Sequence, residues 1–484
     1  METKSTFEVN GGARYRYAML ADMLENQIRE GTFRAGDKLP SIRGLHARTG
    51  LSISTVYQAF IELEKRGMIL AREKSGYYVK PLLKRILPSP EVVRQKPVPR
   101  KVTINNLAAT LFDAMVTPDV LPLGGAFISE SLLPLKELTG LLKSAPQNEL
   151  NHNIATYSHY LGHLGLRRKI SQRLAPVCGD VAPDQMVITN GCMEAVSLCL
   201  QAVTQPGDTV IVESPTFPWF LQIIEDLNLY ALEIPTDCRT GIHIGSLEHA
   251  LQSHSVKACV FVSTFNNPMG FTTSVDKKER LVRLLSAKGI PIIEDDIYGE
   301  LHFDTMRPPP LKRFDRNGMV LYCSSFSKCL SPGLRVGWAM AGRYHERVQR
   351  LKLNHSIGQP PVTQWLAYHY LQARSFDRHL RKLRTRLKHQ ISNTAQAIAR
   401  YFPSNTKISA PLGGVALWVQ LDDRIDSLQL FRRALAAKVA VMPGIMCASG
   451  DAFANCIRIC CGLPYDDRIE QGIQTLGRLI KEIK

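Results

Sequence analysis

Hydrophobic residues recur at helical spacing three times within the first 66 residues. The pattern predicts helices at 15–30, 42–48 and 52–66. Ser41 and Ser52 stand at the start of the second and third runs, where a serine hydroxyl can cap a helix N-terminus. Helices with this spacing are typical of a helix-turn-helix motif.

The pattern changes from helical to alternating beyond Gly67. Residues 68–79 predict a β-hairpin with Ser75 and Gly76 near its tip, which would give a winged version of the motif. Three helices and a hairpin could also be a packing unit without a ligand. The third helix, however, begins with side chains suited to phosphates and base edges. These are Ser52, Ser54, Thr55, Tyr57 and Gln58.

Residues 81–101 have the composition of a linker. They contain five prolines and six basic residues against one acidic residue, which is typical of a stiff, solvated segment. We therefore assign residues 1–80 to a small DNA-binding domain, 81–110 to a basic linker and 111–484 to a large domain.

The large domain alternates short runs rich in valine and isoleucine with longer helical patterns. The apolar runs lie at 186–189, 209–212, 258–263, 291–293 and 319–323. Such alternation predicts an α/β fold with a mostly parallel sheet covered by helices on both faces. We expect functional groups at the carboxyl ends of its strands.

Composition favours a globular protein with two or three hydrophobic cores. The chain has 484 residues, of which 45% are hydrophobic and 21% charged. It shows no signal-peptide pattern and no apolar run long enough to span a bilayer, so we expect a cytoplasmic protein without a membrane partner. The 11 cysteines are odd in number and form no CxxC pair, so we expect them to be reduced and buried, and we expect no metal site.

Positive charge is concentrated at the N-terminal end. The net charge is +17, and residues 1–101 hold 19 Lys and Arg against 10 Asp and Glu. This excess indicates a polyanion partner for the first domain. A basic surface that only aids solubility is the alternative.

One lysine, Lys328, lies among groups that suit a phosphate. The apolar run 319–322 leads to Ser325 and Ser327, and Arg335 follows seven residues after the lysine. Hydroxyls and a guanidinium bind phosphate, and a lysine beside other cations has a lowered pKa that frees its amine to attack an aldehyde. A phosphate and an aldehyde on one molecule indicate pyridoxal 5′-phosphate (PLP). Taken alone, such a turn is more often solvated surface.

Other strand ends carry groups suited to a pyridine ring. Gly191 opens a helix whose free N–H groups can hold a phosphate, and Phe217 can stack on a ring. Asp295 can pair with a protonated ring nitrogen, while Asn267 and Tyr298 can hold the ring oxygen. Each of these has an ordinary alternative, as a plain helix N-terminus, a core phenylalanine or a solvated turn.

The N-terminal motifs form an ordered series. They comprise Gly36, Leu39, Pro40, Ser41 and Arg43, then Ser54, Thr55, Val56, Ala59, Leu63 and Gly67, and then Ser75, Gly76 and Val79. In this series the domain resembles the GntR family of winged-helix repressors. The resemblance implies that Arg43, Ser52, Ser54, Thr55, Tyr57 and the wing residue Gly76 face a double-stranded DNA operator. Ile53 stands where many members carry arginine, so the base preference cannot be transferred.

The large domain contains a second ordered series. It comprises Tyr157, Gly162, Leu166 and Arg167, then Asn190, Gly191, Pro215, Thr216 and Phe217, then Asn267, Pro268, Gly270, Asp295 and Tyr298, and then Ser325, Ser327, Lys328, Arg335 and Gly337. This series resembles the fold type I PLP-dependent aminotransferases over nearly the whole large domain. The resemblance implies a large α/β domain with a smaller C-terminal α+β subdomain.

The same resemblance implies a role for each site residue. Lys328 would form the internal aldimine and, with Asp295 and Tyr298, the catalytic set. Asp295 would pair with the pyridine nitrogen, Asn267 and Tyr298 would bind the phenolic oxygen, and Phe217 would stack on the ring. The phosphate would be held by the backbone of Cys192 and Met193, by Ser325, Ser327 and Arg335, and by Tyr157 from the partner subunit. Arg458 matches the arginine that binds a substrate α-carboxylate.

Three departures from the aminotransferase pattern lie on the substrate side. Residues 124–127 replace the usual Gly-x-Pro, Met269 replaces a threonine and Ala416 replaces an aromatic residue. They spare the cofactor contacts but put efficient transamination in doubt.

The full chain resembles the MocR (GabR-type) bacterial regulators, in which a GntR winged helix is joined to an aminotransferase-like domain. The resemblance implies a PLP-dependent transcription regulator, a head-to-tail, domain-swapped homodimer that senses an amino compound or PLP by aldimine chemistry at Lys328. The alternative is an active aminotransferase with an accessory DNA-binding arm. A third possibility, a DNA-binding protein that has lost its cofactor, is disfavoured because every cofactor-contact position is filled.

Overall fold

The chain divides into two compact units. A computed structural model describes residues 16–33, 36–66, 68–72, 75–79, 87–93, 96–102, 107–373 and 375–483. The first unit holds residues 1–86 with 392–400, and the second holds residues 87–391 with 401–484. The expectations for Tyr15, Gly67, Lys80 and parts of the linker (81–86, 94–95 and 103–106) lie outside the described residues.

The first unit contains the predicted three helices and hairpin. These are α1 (Arg16–Arg29), α2 (Ile42–Thr49), α3 (Ile53–Lys65), β1 (Ile69–Arg72) and β2 (Gly76–Val79). The two strands pair antiparallel. Ser41 and Ser52 cap α2 and α3 as predicted, since their hydroxyls accept hydrogen bonds from the Gly44 and Thr55 amides.

A small core explains why these short elements hold together. Leu20 and Leu24 of α1 and Phe60 of α3 are fully or almost fully buried, and they pack in one cluster with Ile69 and Val79 of the hairpin. Each such side chain contributes about 1.5–3 kcal/mol when it leaves water. Because apolar residues three and four apart supply this cluster, the helical spacing read from the sequence is the spacing of the core.

The second unit is built on a nine-stranded sheet with a parallel centre. Its strands are β3 (Arg100–Lys101), β5 (Val187–Thr189), β6 (Thr209–Ser214), β7 (Tyr230–Asp237), β8 (Gly241–Ile242), β9 (Ala258–Phe261), β10 (Ile292–Asp295), β11 (Val320–Ser325) and β12 (Gly337–Met340). Their order is β3-β7-β6-β9-β10-β11-β12-β5, with β8 beside β7. The neighbours from β7 to β11 pair parallel, whereas β12 is antiparallel to both β11 and β5.

Helices cover this sheet as predicted. They are α5 (Leu135–Lys143), α6 (Gln147–Ala155), α7 (Leu164–Cys178), α8 (Cys192–Val203), α9 (Pro218–Asp226), α10 (Ile244–Ser253), α11 (Val275–Ala287), α12 (His345–Ser356), α13 (Pro361–Gln372) and α14 (Ser375–Tyr401). Separate apolar clusters join α8 and α9 to one set of strand residues and α10 and α11 to another. The strands read as almost continuous apolar runs because both of their faces are buried.

A smaller C-terminal subdomain has its own antiparallel sheet. It comprises β13 (Lys407–Ile408), β14 (Ala416–Gln420), β16 (Met442–Pro443) and β17 (Cys456–Cys460), with α15 (Ser427–Ala436) and α16 (Asp467–Glu482). An earlier segment joins it, since β4 (Leu121–Pro122), which follows α4 (Leu107–Val116), pairs with β15 (Val439–Ala440). The α/β fold with a smaller α+β subdomain is therefore confirmed.

Part of the segment assigned to the linker belongs to the second unit. Leu87 and Val102 are buried, and β3 lies at an edge of the main sheet. The Pro88 carbonyl also accepts a hydrogen bond from the Ile408 amide. Proline and charge masked these contacts in the sequence, and the second unit begins at Leu87 rather than at residue 111.

All eleven cysteines are buried and unpaired, in line with the expectation of reduced thiols. Among the described residues, no helix is long and apolar enough to cross a membrane.

Candidate functional site

The predicted ring-binding and phosphate-binding groups all follow strands of the main sheet. Gly191 follows β5, Phe217 follows β6 and Asn267 follows β9. Asp295 ends β10, and Lys328 lies three residues beyond β11. Because the parallel strands end at one edge of the sheet, the fold gathers these groups from distant parts of the sequence.

Lys328 is a partly buried lysine with one close acceptor. Its Nζ donates to the carbonyl oxygen of Ala126 at 2.6 Å and lies 5.9 Å from the centre of the Phe127 ring. Burial lowers the pKa of this lysine to about 8, against an ordinary value of 10.5. A useful fraction of the amine is therefore neutral near pH 7–8, as a nucleophile requires.

Asp295 is a buried carboxylate that receives two hydrogen bonds on one oxygen. Its Oδ1 accepts from the Ile297 amide at 3.0 Å and from the Cys192 thiol at 3.2 Å. Burial raises the pKa of Asp295 to about 6, and the thiol hydrogen bond opposes that rise. Among the described residues none donates to Oδ2, so the second oxygen of an ionised carboxylate remains for a ligand.

Asn267, Tyr298 and Arg458 form a connected chain. The Asn267 Nδ2 donates to the Tyr298 hydroxyl at 3.3 Å, and the Arg458 Nη1 donates to the Asn267 Oδ1 at 2.7 Å. Burial raises the pKa of Tyr298, so its hydroxyl keeps its proton. The structure thus brings together three residues that lie up to 191 positions apart in the sequence.

Arg458 carries an unused hydrogen-bond donor inside the protein. The residue is 1% exposed, and its Nη2 donates to the Gly124 carbonyl at 2.5 Å. Its Nε is buried without an acceptor among the described residues. An unpaired N–H on a buried guanidinium is costly, and an anionic ligand would satisfy it.

A cradle for an anion lies where α8 begins. Gly191 precedes the helix with a φ of +82° and provides no side-chain cap, so the amides of Cys192 and Met193 stay free at the helix N-terminus. The Arg335 Nη2 donates to the Asn190 carbonyl at 2.8 Å, and its Nη1 lies 3.5 Å from the Ser327 hydroxyl.

Glycine is required at two positions of this cradle. A Cβ on Gly191 would lie 2.3 Å from the Arg335 Nη2, and one on Gly337 would lie 2.5 Å from the Gly191 backbone. Ser325 is buried beside them and accepts a hydrogen bond from the Ser327 amide at 3.3 Å. The predicted phosphate-binding residues Ser325, Ser327 and Arg335 are thus assembled around the start of α8.

Phe217 and Tyr157 are placed less tightly. The Phe217 ring is half-buried and stacks on Trp219, with 5.2 Å between ring centres. Tyr157 is 85% exposed and makes no hydrogen bond or ring contact with a described residue of its own chain. The ring-stacking role of Phe217 and the partner-subunit role of Tyr157 therefore stay predictions.

Two contributions were missed by sequence reasoning. The carbonyls of Gly124 and Ala126 accept from Arg458 and Lys328, and backbone acceptors leave no trace in side-chain motifs. Glu213 is the second contribution. It is fully buried, accepts from the Asn266 side chain at 3.0 Å and has a pKa raised by burial to about 8. A glutamate inside an apolar strand was the only signal for it.

The predicted DNA-facing residues lie at the surface of the first unit. Arg43, Ser52, Ser54, Tyr57 and Gly76 are exposed and Thr55 is half-buried. The Ser52 hydroxyl contacts the Ser54 and Thr55 hydroxyls at 2.9 and 2.8 Å. Gly76 has a φ of +107°, which favours glycine at this point of the wing.

Comparisons with known proteins match both units. The family "Bacterial regulatory proteins, gntR family" matches residues 16–79, and "Aminotransferase class I and II" matches residues 130–476. The HTH-type transcriptional regulators YdcR and YjiR of Escherichia coli K12 are 39% and 34% identical to this chain. Their alignments each cover 96% of it, and 99% and 98% of the relatives.

Solved structures match the large domain. Pyrococcus horikoshii kynurenine aminotransferase in complex with PMP is 28% identical, with a TM-score of 0.73 over 78% of this chain and 95% of that one. Thermus thermophilus LysN, an α-aminoadipate aminotransferase, is 25% identical, with a TM-score of 0.71 over 79% and 96% of the two chains.

Proposed function

Because the chain belongs to the aminotransferase class I and II family and, with its GntR domain, to the MocR-type GntR regulators, we propose that it is a transcription regulator controlled by an amino compound or by PLP. Its first unit would bind a double-stranded DNA operator, which places the protein in the cytoplasm. Its second unit would hold the cofactor and receive the effector.

PLP is the cofactor that the family implies, and the residues present fit it. The free oxygen of Asp295 matches a protonated pyridine nitrogen, and the start of α8 with Arg335 matches a phosphate. The unused Nε of Arg458 matches a carboxylate next to the ring. All three donors or acceptors are buried or half-buried, so each is unsatisfied without a ligand or water.

Each residue then has a defined task toward PLP. When bound, PLP supplies an aldehyde that condenses reversibly with primary amines and a ring that withdraws electrons. Lys328 presents the amine, Asp295 keeps the ring nitrogen protonated, and Asn267 with Tyr298 holds the ring oxygen. Cys192, Met193, Ser325, Ser327 and Arg335 hold the phosphate, Phe217 covers the ring and Tyr157 serves the partner subunit.

The observation that carries the proposal is the lysine with a pKa lowered to about 8, in the same chain as a GntR domain. An amino compound competes with Lys328 for the same aldehyde, so its binding changes which groups Lys328 and Arg458 contact. If the two winged helices of a head-to-tail dimer hold DNA differently in the two states, this difference in ligand affinity becomes a difference in DNA affinity.

An active aminotransferase is the second candidate. Lys328, Asp295 and Arg458 are all present, and the 2-aminoadipate transaminase of Thermus thermophilus is 28% identical over 75% of this chain and 91% of its own length. Against it, Met269 is buried where a threonine is usual and Ala416 is buried where an aromatic residue is usual. These substitutions change the substrate side more than the cofactor side.

A paired titration separates the two functions. Duplexes selected by the protein from a random pool serve as the DNA probe, and one amino-acid panel is assayed for DNA affinity and for keto-acid release. We expect at least one amino compound or PLP to change DNA affinity while turnover stays below about 1 per second, the low end for enzymes. Fast turnover with DNA affinity indifferent to every compound would establish the enzyme instead.

A further inference from the structure

The long helix α14 carries most of the excess positive charge of the large domain. It contains seven Lys or Arg residues and one Asp, an excess of six. Residues 102–484 together have an excess of only eight. The charge of the second part of the chain is therefore concentrated on one element rather than spread over its surface.

Five of these cations lie on one exposed face. We call this set the basic face, and it comprises Arg378, Arg381, Lys382, Arg386 and Lys388. Leu380, Leu383 and Leu387 are buried on the opposite side of the helix. Arg384 also points inward, where it donates to the Glu300 carbonyl at 2.6 Å and to its carboxylate at 3.0 Å. Leucine packing and this buried ion pair fix which side of α14 faces solvent.

The basic face lacks counter-charges. Asp377 is the one acidic residue of the helix, and it pairs with Arg173 at 2.8 Å. None of the five cations forms an ion pair with a described residue. Arg378 and Lys382, and again Lys382 and Arg386, are like charges four positions apart, which destabilises a helix. An exposed helix that serves only solubility usually alternates its charges, so this arrangement indicates a polyanion partner.

The spacing of the cations fits a nucleic-acid backbone. Ten residue steps of helix span about 15 Å, so the face presents roughly one cation every 3 Å along its axis. Each strand of duplex DNA carries one phosphate for every ~3.4 Å of its axis. Between Arg378 and Lys388 there is no exposed apolar side chain of the kind found at the centre of protein interfaces.

We propose that the basic face binds the phosphate backbone of duplex DNA, as a second contact surface besides the winged helix. The inference deepens the proposed function and rests on the DNA binding stated there. Phosphate contacts carry no base information, so the face adds affinity and salt dependence rather than sequence specificity. It lies within residues 375–391, which belong to the second unit.

A charge-matched pair of variants of the full-length protein tests the proposal. R378Q/K382Q/R386Q removes one row of the basic face. R168Q/R283Q/K288Q removes the same net charge at other exposed positions of the second unit. Each is titrated with a mixed-sequence 60-base-pair duplex across a series of salt concentrations. PLP content and Tm verify that both variants are folded.

The expected result is a change of slope in the basic-face variant alone. Loss of three phosphate contacts makes the slope of log K against log salt shallower by about 2–3, and at ~0.1 M salt the affinity falls by about tenfold or more. The charge-matched variant keeps a slope close to that of the native protein. An equal effect of both variants, or an unchanged slope in the basic-face variant, refutes the proposal.

Two further arms separate other causes. Retention on immobilised poly-glutamate that disappears in R378Q/K382Q/R386Q, with DNA binding unchanged, assigns the face to an acidic polypeptide and refutes the DNA proposal. The native protein and Arg43→Ala are measured on the same duplex. A native protein that fails to bind it refutes the proposed function itself, whereas native binding that depends on Arg43 with a silent basic face refutes only the second surface.

Discussion

Asp295 shows how one side chain is prepared for a ligand. Its Oδ1 is occupied by the Ile297 amide and the Cys192 thiol, and its Oδ2 is left free. The carboxylate must be ionised to pair with a pyridinium, yet burial raises its pKa to about 6. The thiol donor opposes that rise, so Cys192 is a positioning residue for Asp295 as well as a donor of a backbone amide.

Removal of the Cys192 thiol should weaken cofactor binding most at low pH. In Cys192→Ala the carboxylate loses a donor, its pKa rises above about 6, and a smaller fraction is ionised near neutrality. A hydrogen bond of this type contributes about 1 kcal/mol, so we expect PLP affinity to fall by roughly three- to tenfold at pH 6–7. The loss should shrink above pH 8, where the carboxylate is ionised in both proteins.

Fluorescence titration of the apoprotein with PLP across pH measures this effect. Cys192→Ser keeps a donor and should stay close to the native protein. Cys199→Ala removes another buried thiol of α8 and controls for the cavity. A uniform loss at all pH values in Cys192→Ala would assign Cys192 to packing alone.

Lys328 should be the amine that captures PLP, with a pH dependence set by its lowered pKa. The neutral amine is the reactive form, so the rate of PLP capture by the apoprotein should rise with pH up to about 8 and then level off. An ordinary lysine would continue to gain reactivity up to about pH 10. Stopped-flow absorbance gives the rate, and borohydride reduction with peptide mapping identifies the residue. A reduced adduct on another lysine contradicts the assignment.

At the scale of elements, sequence patterns located most helices and strands but not their neighbours. Serine caps and apolar spacing placed α2 and α3 to within one or two residues. Apolar runs likewise placed β6 and β9 to β11. The antiparallel position of β12 between β11 and β5 was not predictable, because it depends on Gly337 packing against the Gly191 backbone. Such a contact joins residues that no local pattern relates.

The candidate site was predictable in its side chains and not in its supports. Side-chain motifs identified Lys328, Asp295 and Arg335 because phosphate and ring chemistry restrict the choice of residue. The carbonyls of Gly124 and Ala126 and the carboxylate of Glu213 escaped prediction because backbone acceptors and buried acids acquire their roles only from the fold.

The start of α3 should be the most sensitive element for DNA binding. Arg43→Ala should weaken binding by about 1–3 kcal/mol without a change in Tm, because Arg43 is exposed and contributes no packing. Ser52→Ala should weaken DNA binding and also reduce the free energy of unfolding by about 1 kcal/mol, because Ser52 caps the helix.

Electrophoretic titration and thermal unfolding measure the two effects separately. Arg168→Ala removes one positive charge from the second unit and is the charge control. Equal weakening by Arg43→Ala and Arg168→Ala would mean that net charge alone is responsible. A DNA affinity that survives deletion of residues 1–80 would place the main contact outside the winged helix.

At the scale of the whole molecule, sensing and DNA binding belong to different units, so one substitution should separate them. Lys328→Ala removes the amine that an effector displaces, while its position in the second unit leaves the winged helix intact. We expect this variant to bind DNA with native affinity and to lose the response to every amino compound, because no exchange at the lysine remains.

Arg458 should decide whether the effector carries a carboxylate. Its free Nε and its two backbone and amide partners form a preorganised anion clamp next to Asn267. Arg458→Lys keeps the charge but loses the fork, so for a carboxylate effector we expect the ligand concentration for half response to rise by about ten- to a hundredfold, as for loss of one or two charged hydrogen bonds. An amine without a carboxylate should respond equally well in both proteins. DNA-affinity titrations with matched pairs, an amino acid and its decarboxylated amine, measure the difference. If Lys328→Ala still responds to an amino acid through Arg458, the signal arises from carboxylate binding alone, and the exchange at the lysine is not required.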